Sequence, residues 1–300
     1  MDAIRHSVEA RLRELSPSAA EGGERIEHAI QYSLLDGGKR LRPLLTILTA
    51  STFDADPDLA LDPACAIEMV HTASLVLDDL PCMDDALQRR GKPATHVAHG
   101  EDIAILSAVS LISEAFGVIA RAPGIAPEVR TSIVGRLADA IGIQGLSAGQ
   151  ERDLHEAQST TSRAALEKRH HQKTGALFVA CLEAGARIAG VDETTMAAMT
   201  KFGERVGIGF QILDDLLDLS ASESTGKDAH RDEGKATFAT VMTIQEAERE
   251  AITCLDNALA ELADQIADAG PFAVFVDLVV RAYADQVSRR GSEIAGALRP

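Results

Sequence analysis

Tryptophan is absent from this 300-residue chain, and aromatic residues make up only 3% of it against 46% hydrophobic residues overall. A core of large rings is therefore excluded, and burial has to come from Ala, Leu, Ile and Val, side chains that suit closely packed helices. Period-two stretches are missing as well, which leaves a β-sheet architecture without a source. Cysteine is sparse. Cys65, Cys82, Cys181 and Cys254 lie far apart with no paired metal-ligand spacing, as expected of reduced, mostly packed thiols in a cytoplasmic protein. Met1 to Glu14 has no continuous apolar segment, so neither a signal peptide nor a membrane-spanning helix is expected, beyond transient membrane contact. Positive charge is in short supply too: 29 Lys+Arg face 46 Asp+Glu, a formal net charge of -17. Nucleic acid is thereby set aside as a partner, and an anionic substrate would need local cations plus metal.

What is present is acid in two clusters. Asp78-Asp79-Leu80-Pro81-Cys82-Met83-Asp84-Asp85 and Asp214-Asp215-Leu216-Leu217-Asp218 each follow an apolar run that reads as helix. Carboxylates gathered at a helix end repel one another and resist desolvation, and clustered hard oxygen ligands are what Mg2+ takes. At about 100° per residue, Asp214 and Asp218 share one helical face. Asp78 and Asp84 would diverge by roughly 240° on an unbroken helix. Pro81 disfavours helix at Leu80, so the chain is expected to bulge or end there and bring Asp84 back beside Asp78.

Cations gather at loop-to-helix junctions in Gly37-Gly38-Lys39-Arg40-Leu41-Arg42-Pro43 and Arg89-Arg90-Gly91-Lys92-Pro93. Arg forks bind phosphate oxygens bidentately and Lys adds a compact charge, so both segments are candidate phosphate sites. Apolar residues recur at helical intervals over Leu59–Leu77, Ala104–Ala120, Thr131–Gly149, Arg163–Ala189, Glu193–Leu219 and Gln245–Leu298. Breaks are expected at Pro57, Pro63, Pro93, Pro123-Gly124, Gly190 and Pro271. Ser222 to Thr237 interrupts the pattern as a polar segment and reads as a lid. No Ser/Gly/Pro linker divides the chain, and two clusters serving one cavity imply a single all-α domain over residues 1–300.

The order Gly37 to Pro43, His71 ahead of Asp78-Asp79 and Asp84, Arg89-Arg90-Gly91, Lys173-Thr174-Gly175, then Gln211 ahead of Asp214-Asp215 and Asp218 closely resembles the trans-isoprenyl diphosphate synthases. It does so over nearly the whole chain. Asp79 to Ala86, Glu101 to Val109 and Ala140 to Leu146 are most similar to the bacterial geranylgeranyl diphosphate synthases of carotenoid pathways. The resemblance implies a large helical bundle around a central cavity, commonly homodimeric, with the Ala104–Ala120 helix either an interface or core. It implies that Asp78, Asp79, Asp84, Asp214, Asp215 and Asp218 hold Mg2+, three ions with substrate bound, against the allylic diphosphate. Arg89, Lys173, Lys227 and Lys235 would be its cationic contacts, and Lys39, Arg42, His71 and Arg90 the isopentenyl diphosphate pocket. Thr174 and Gln211 would face the reacting carbon. Leu77, where many relatives have His, and Ala86-Leu87-Gln88 depart from the pattern without touching these positions.

The implied chemistry is ionisation, condensation and elimination, with no side-chain nucleophile. Product length would follow the depth of an apolar tunnel below the first cluster. Ser74 lies one turn up the helix from Asp78 and Ala73 five residues up, with Met69 and Val70 beyond and Met69 or Phe116 as a floor. An aromatic residue stands at the Ala73 position in relatives that stop at farnesyl; the methyl here favours geranylgeranyl. A farnesyl product, a non-catalytic modulatory subunit and a terpene cyclase are the alternatives, the last disfavoured by Gly37 to Pro43. Lys39→Ala or Arg42→Ala is expected to raise the KM for isopentenyl diphosphate selectively in steady-state kinetics, and an unchanged KM would remove that assignment.

Overall fold

The computed structural model describes residues 1–19, 22–156, 162–225, 238 and 242–297. The fold is all-α. Its helices are α1 (Asp2–Leu15), α2 (Glu24–Leu34), α3 (Leu41–Thr52), α4 (Pro57–Asp78), α5 (Thr95–His99), α6 (Glu101–Arg121), α7 (Pro127–Ile141), α8 (Leu146–His155), α9 (Arg163–His170), α10 (Ala176–Ala189), α11 (Glu193–Thr225), α12 (Ile244–Ala263) and α13 (Gly270–Ala297). One antiparallel hairpin of two-residue strands, β1 (Gln88–Arg89) and β2 (Lys92–Pro93), follows α4. The chain divides into two compact units, Met1–Ala138 with Ala180–Val191, and Asp139–Val179 with Asp192–Pro300.

In the first unit α4 is the central element and packs on α6, α3 and α1. It starts where Asp56 accepts a hydrogen bond from the Asp58 amide at 3.0 Å, with Pro57 in the first turn where its missing N–H costs nothing. Every residue from Asp62 to Val70 is buried. Small side chains permit the close approach: Ala64, Ala66 and Ala73 on α4, and Ala104, Ser107, Ala108 and Ala115 on α6, are fully buried. Pro63 does not break the chain as expected but lies inside α4. The lost amide bond is local, whereas burial on both sides of Pro63 holds the helix together. α3 has no helical period because Leu41 to Ile47 are buried on every side.

The second unit is built on α11, which packs against α12, α13 and a π-helical turn at His171–Gly175. Phe202 and Phe272 meet edge to face at 5.3 Å in its core. The expected helix Thr131–Gly149 splits into α7 and α8, because Gly145 brings its backbone against the Ala140 carbonyl, where a Cβ would sit 2.0 Å away. Arg163–Ala189 is interrupted by the π turn, and Gln245–Leu298 by the break preceding Pro271. α11 runs on to Thr225, so residues 222–225 of the expected polar segment are helical; residues 226–237, with Lys227 and Lys235, lie outside the described residues.

Among the described residues two helices, α4 and α6, are long and apolar enough to cross a membrane, a test of length and composition that a buried core helix also passes. The most apolar window of α4 is 78% buried in the unit and that of α6 44%. α6 buries Ala104, Ser107, Ala108 and Leu111 and exposes Ile105, Leu106 and Val109 on its other side, so it serves the core and still presents an apolar face. Phe272→Ala should cost about 3–5 kcal/mol, read as a lowered urea midpoint of the second unit's unfolding; a change below ~1 kcal/mol would mean the α11–α13 contact is not structural.

Candidate active site

In the first unit the site grows from the end of α4. The helix stops at Asp78, and the chain folds back on itself: the Asp84 amide donates to the Asp78 carbonyl at 2.8 Å, Asp85 to Leu80 at 3.0 Å and Ala86 to Asp79 at 3.1 Å. Asp78 and Asp84, six residues apart, are thereby joined at one helix end, both half-buried. Asp79 points inward, 2% exposed. Arg89 grips it with Nε 3.1 Å from both carboxylate oxygens and Nη2 2.5 Å from Oδ1. Burial opposes the Arg89 charge, but the hydrogen bonds it donates to Asp79 and the fields of Asp79, Asp78 and Asp84 outweigh it and raise the guanidinium pKa.

A cationic wall faces this acidic end from the same unit. The β1–β2 hairpin turns on Arg90 (φ 54) and Gly91 (φ 78), both left-handed, as a two-residue turn between right-twisted strands requires. Its position is set three ways: Lys92 pairs with Asp36, the Tyr32 hydroxyl donates to the Pro93 carbonyl at 2.7 Å, and Arg90 Nη1 donates to the Gly37 carbonyl at 2.6 Å. Gly38 (φ 124) lies so close to the Arg90 guanidinium that a Cβ there would come within 2.9 Å of it. Residues 53 apart in sequence, Gly37 and Arg90, thus join two segments into one wall. Arg42 Nη1 lies 3.1 Å from His71 Nε2. Burial, then Arg42, Arg90, Arg89 and Arg40 in turn, push the His71 pKa well below its ordinary value. His71 is therefore a neutral hydrogen-bonding group at neutral pH. Lys39, close to Arg42 in sequence, is exposed. A cleft runs between the wall and α4, lined from α4 by Thr72, Leu75, Val76 and Asp79 and from the hairpin by Arg89 and Arg90. Ala73 and Ser74 are buried, 0% and 9% exposed, and are not among the cleft's lining residues.

In the second unit the π turn widens the helix at Lys173-Thr174-Gly175. Its backbone is approached from both sides by glycine. A Cβ on Gly149 of α8 would be 2.3 Å from the Lys173 amide nitrogen, and one on Gly207 of α11 2.4 Å from the Gly175 Cα. Any side chain at either position would push the turn away. The Thr174 hydroxyl donates to Gln211 Oε1, and Gln211 Nε2 donates in turn to Asp215 Oδ1 at 2.8 Å, one turn along α11. Lys173 Nζ pairs with Asp153 at 2.5 Å, with the buried Arg169 3.6 Å from the same carboxylate. Asp214 faces solvent while Asp215 is 9% exposed. The two neighbours thus point to different sides of α11, and the side chain of Asp218 lies outside the described residues.

Among the described residues no three His, Cys, Asp or Glu side chains form a closed metal-ligand set. The carboxylates at hand nevertheless fit Mg2+, which takes one or two carboxylates and fills its remaining positions with water and substrate phosphate. Sequence reasoning missed Glu68, Tyr32, Asp36 and His170. Glu68 had a signal, as a lone acid in the otherwise apolar core run of α4; Tyr32, Asp36 and His170 had none. His170 is buried against Phe238, and burial, reinforced by Arg169, lowers its pKa to about 3. Its folded pKa lies below the unfolded value near 6.5, so the unfolded chain binds the extra proton and stability should fall as pH drops from about 6.5 towards 3. His170→Asn, assayed by urea unfolding in chelator, is expected to lose less stability over that window; equal losses would show that His170 does not drive acid unfolding.

Residues 23–270 match the polyprenyl synthetase family. The geranylgeranyl diphosphate synthase of Pantoea ananas is 42% identical over 78% of this chain and 78% of its own. The farnesyl diphosphate synthase of Geobacillus stearothermophilus is 38% identical over 86% and 89%. A crystal structure of a FPP/GFPP synthase from Zymomonas mobilis superposes with a TM-score of 0.82 at 32% identity, covering 93% of this chain and 96% of that one. The chain therefore belongs to the polyprenyl synthetase family and is a prenyltransferase.

Proposed function

We propose that this prenyltransferase condenses isopentenyl diphosphate head to tail with allylic diphosphates, releasing inorganic diphosphate, and that its main product is geranylgeranyl diphosphate. The observation that carries this reading is the acidic fold-back Asp78–Asp84 set against the wall of Arg42, His71, Arg89 and Arg90 within one unit. Such a site takes two anionic groups, one beside the carboxylates and one beside the guanidinium groups.

In this reading Asp78 and Asp84, with Asp79 once Arg89 turns to phosphate, and Asp214, Asp215 and Asp218 hold three Mg2+ ions. Bound there, Mg2+ supplies the positive charge that stabilises the departing diphosphate. Arg89, Lys173, Lys227 and Lys235 bind the remaining allylic phosphate oxygens. Lys39, Arg42, Arg90 and neutral His71 hold isopentenyl diphosphate so that its double bond meets the allylic carbon, and alignment of two bound reactants supplies much of the rate. The Thr174 and Gln211 oxygens, fixed by the π turn and by Asp215, stabilise the allylic cation. The proton lost on elimination goes to the leaving diphosphate. We read residues 1–300 as one catalytic domain. A cytoplasmic homodimer built on the exposed Ile105, Leu106 and Val109 face of α6, acting in carotenoid formation, completes the reading.

In this reading chain length rests on Ala73, a methyl group at the position where relatives that stop at farnesyl carry a ring. The farnesyl synthase relative supports a fifteen-carbon product as the second reading. Incubation with labelled isopentenyl diphosphate and dimethylallyl, geranyl or farnesyl primer should give mainly the twenty-carbon diphosphate, and a folded Ala73→Phe variant mainly the fifteen-carbon one. An unchanged product in the variant would move the floor elsewhere, and no condensation with any primer would favour a modulatory subunit.

A further inference from the structure

One ionic contact beside the site is unlike the others. Arg40 and Glu68 form a salt bridge at 2.8 Å with side chains only 2% and 3% exposed. The second arm of the same guanidinium donates to the Leu34 carbonyl at 2.7 Å. Leu34 ends α2, so Arg40 satisfies a carbonyl that the helix itself leaves open. Arg40 also precedes α3 in a left-handed conformation (φ 49, ψ 36), where its own carbonyl accepts the amide of Leu44 at 3.1 Å. One residue thus ties the end of α2, the start of α3 and the middle of α4.

The tie sits directly behind the cationic wall. Lys39 and Arg42 flank Arg40 in sequence, and Glu68 lies one turn before His71 on α4. Arg40–Glu68 and Arg42–His71 are therefore successive rungs between the start of α3 and α4, the first buried and the second part-buried. A dry ion pair is poor evidence for stability, since an apolar pair of similar volume often does as well. Its distinctive property is direction: a planar fork with two fixed acceptors leaves the backbone of Arg40 one orientation. A left-handed residue outside glycine persists only where its surroundings hold it.

We propose that Arg40 and Glu68 are positioning residues for the isopentenyl diphosphate pocket, holding the Gly37–Arg42 loop in the one conformation that presents Lys39 and Arg42 together with His71. This deepens the proposed function and rests on its assignment of Lys39, Arg42 and His71.

The experiment is steady-state kinetics on the full chain, varying each substrate in turn, for Arg40→Met combined with Glu68→Met. Removing both charges avoids a stranded ion, and circular dichroism with a thermal melt establishes the fold. The expected result is a rise of about tenfold in the KM for isopentenyl diphosphate, with the allylic KM and kcat within about twofold of the parent. Glu68→Gln, which keeps volume and a hydrogen-bond acceptor, should give a smaller rise of the same selectivity and serves if the double variant does not fold. An unchanged isopentenyl KM in these folded variants, or an equal rise in both KM values, overturns the proposal. If Lys39→Ala and Arg42→Ala also leave the isopentenyl KM unchanged, the pocket assignment falls and the proposal with it; if they raise it while the Arg40 and Glu68 variants do not, only the proposal falls.

Discussion

The constraint on which this molecule turns is the gathering of carboxylates at the end of an apolar helix. Asp78, Asp79 and Asp84 stand within one hydrogen-bonded fold-back in a chain that already carries a formal net charge of -17. Such a cluster needs cations. Arg89 supplies positive charge directly on the buried Asp79, and its field also reaches Asp78 and Asp84. The rest of the first unit serves that arrangement. α4 is buried on nearly every side, so its end is rigid, and the hairpin bearing Arg89 and Arg90 is fastened at Tyr32, Asp36 and Gly37. Three of the described non-glycine residues with positive φ, namely Arg40, Asp85 and Arg90, fall in or beside this site. Backbone strain of that kind collects where geometry matters for function.

The second unit reaches its chemistry by another route. Here the helix carrying Lys173 and Thr174 is widened into a π turn, and paired close approaches at Gly149 and at Gly207 against Gly175 let α8 and α11 press on its backbone. The result is an ordered relay from Thr174 through Gln211 to Asp215. Rigid placement of oxygen atoms is what stabilising a cation requires, since dipoles already oriented need no reorganisation when charge appears.

Legibility in the sequence followed the local physics of each element. Pro81 announced the end of α4, because proline acts on the residue before it and needs no tertiary partner. α6, α11 and α12 were visible as helices because each keeps one apolar face. α3 was not, since a helix buried on all sides loses its period. Pro63 misled, because packing around α4 outweighs one absent amide bond. The π turn left no periodic trace, although the Lys173-Thr174-Gly175 motif marked its place. Within the site, charged residues at loop junctions could be picked out from the sequence, and Glu68 stood out as a lone acid in an apolar run, whereas Asp153 and His170 acquire meaning only from partners elsewhere along the chain.

The central claim is that the gathered carboxylates act through Mg2+ on an allylic diphosphate. Its most direct test is calorimetric binding of an unreactive thiolo analogue of farnesyl diphosphate, with and without Mg2+, to the parent chain and to Asp78→Asn and Asp214→Asn. The account predicts that tight binding requires Mg2+ and that each substitution weakens it by about tenfold or more. Binding that is equally tight in chelator, or indifferent to both substitutions, would contradict it.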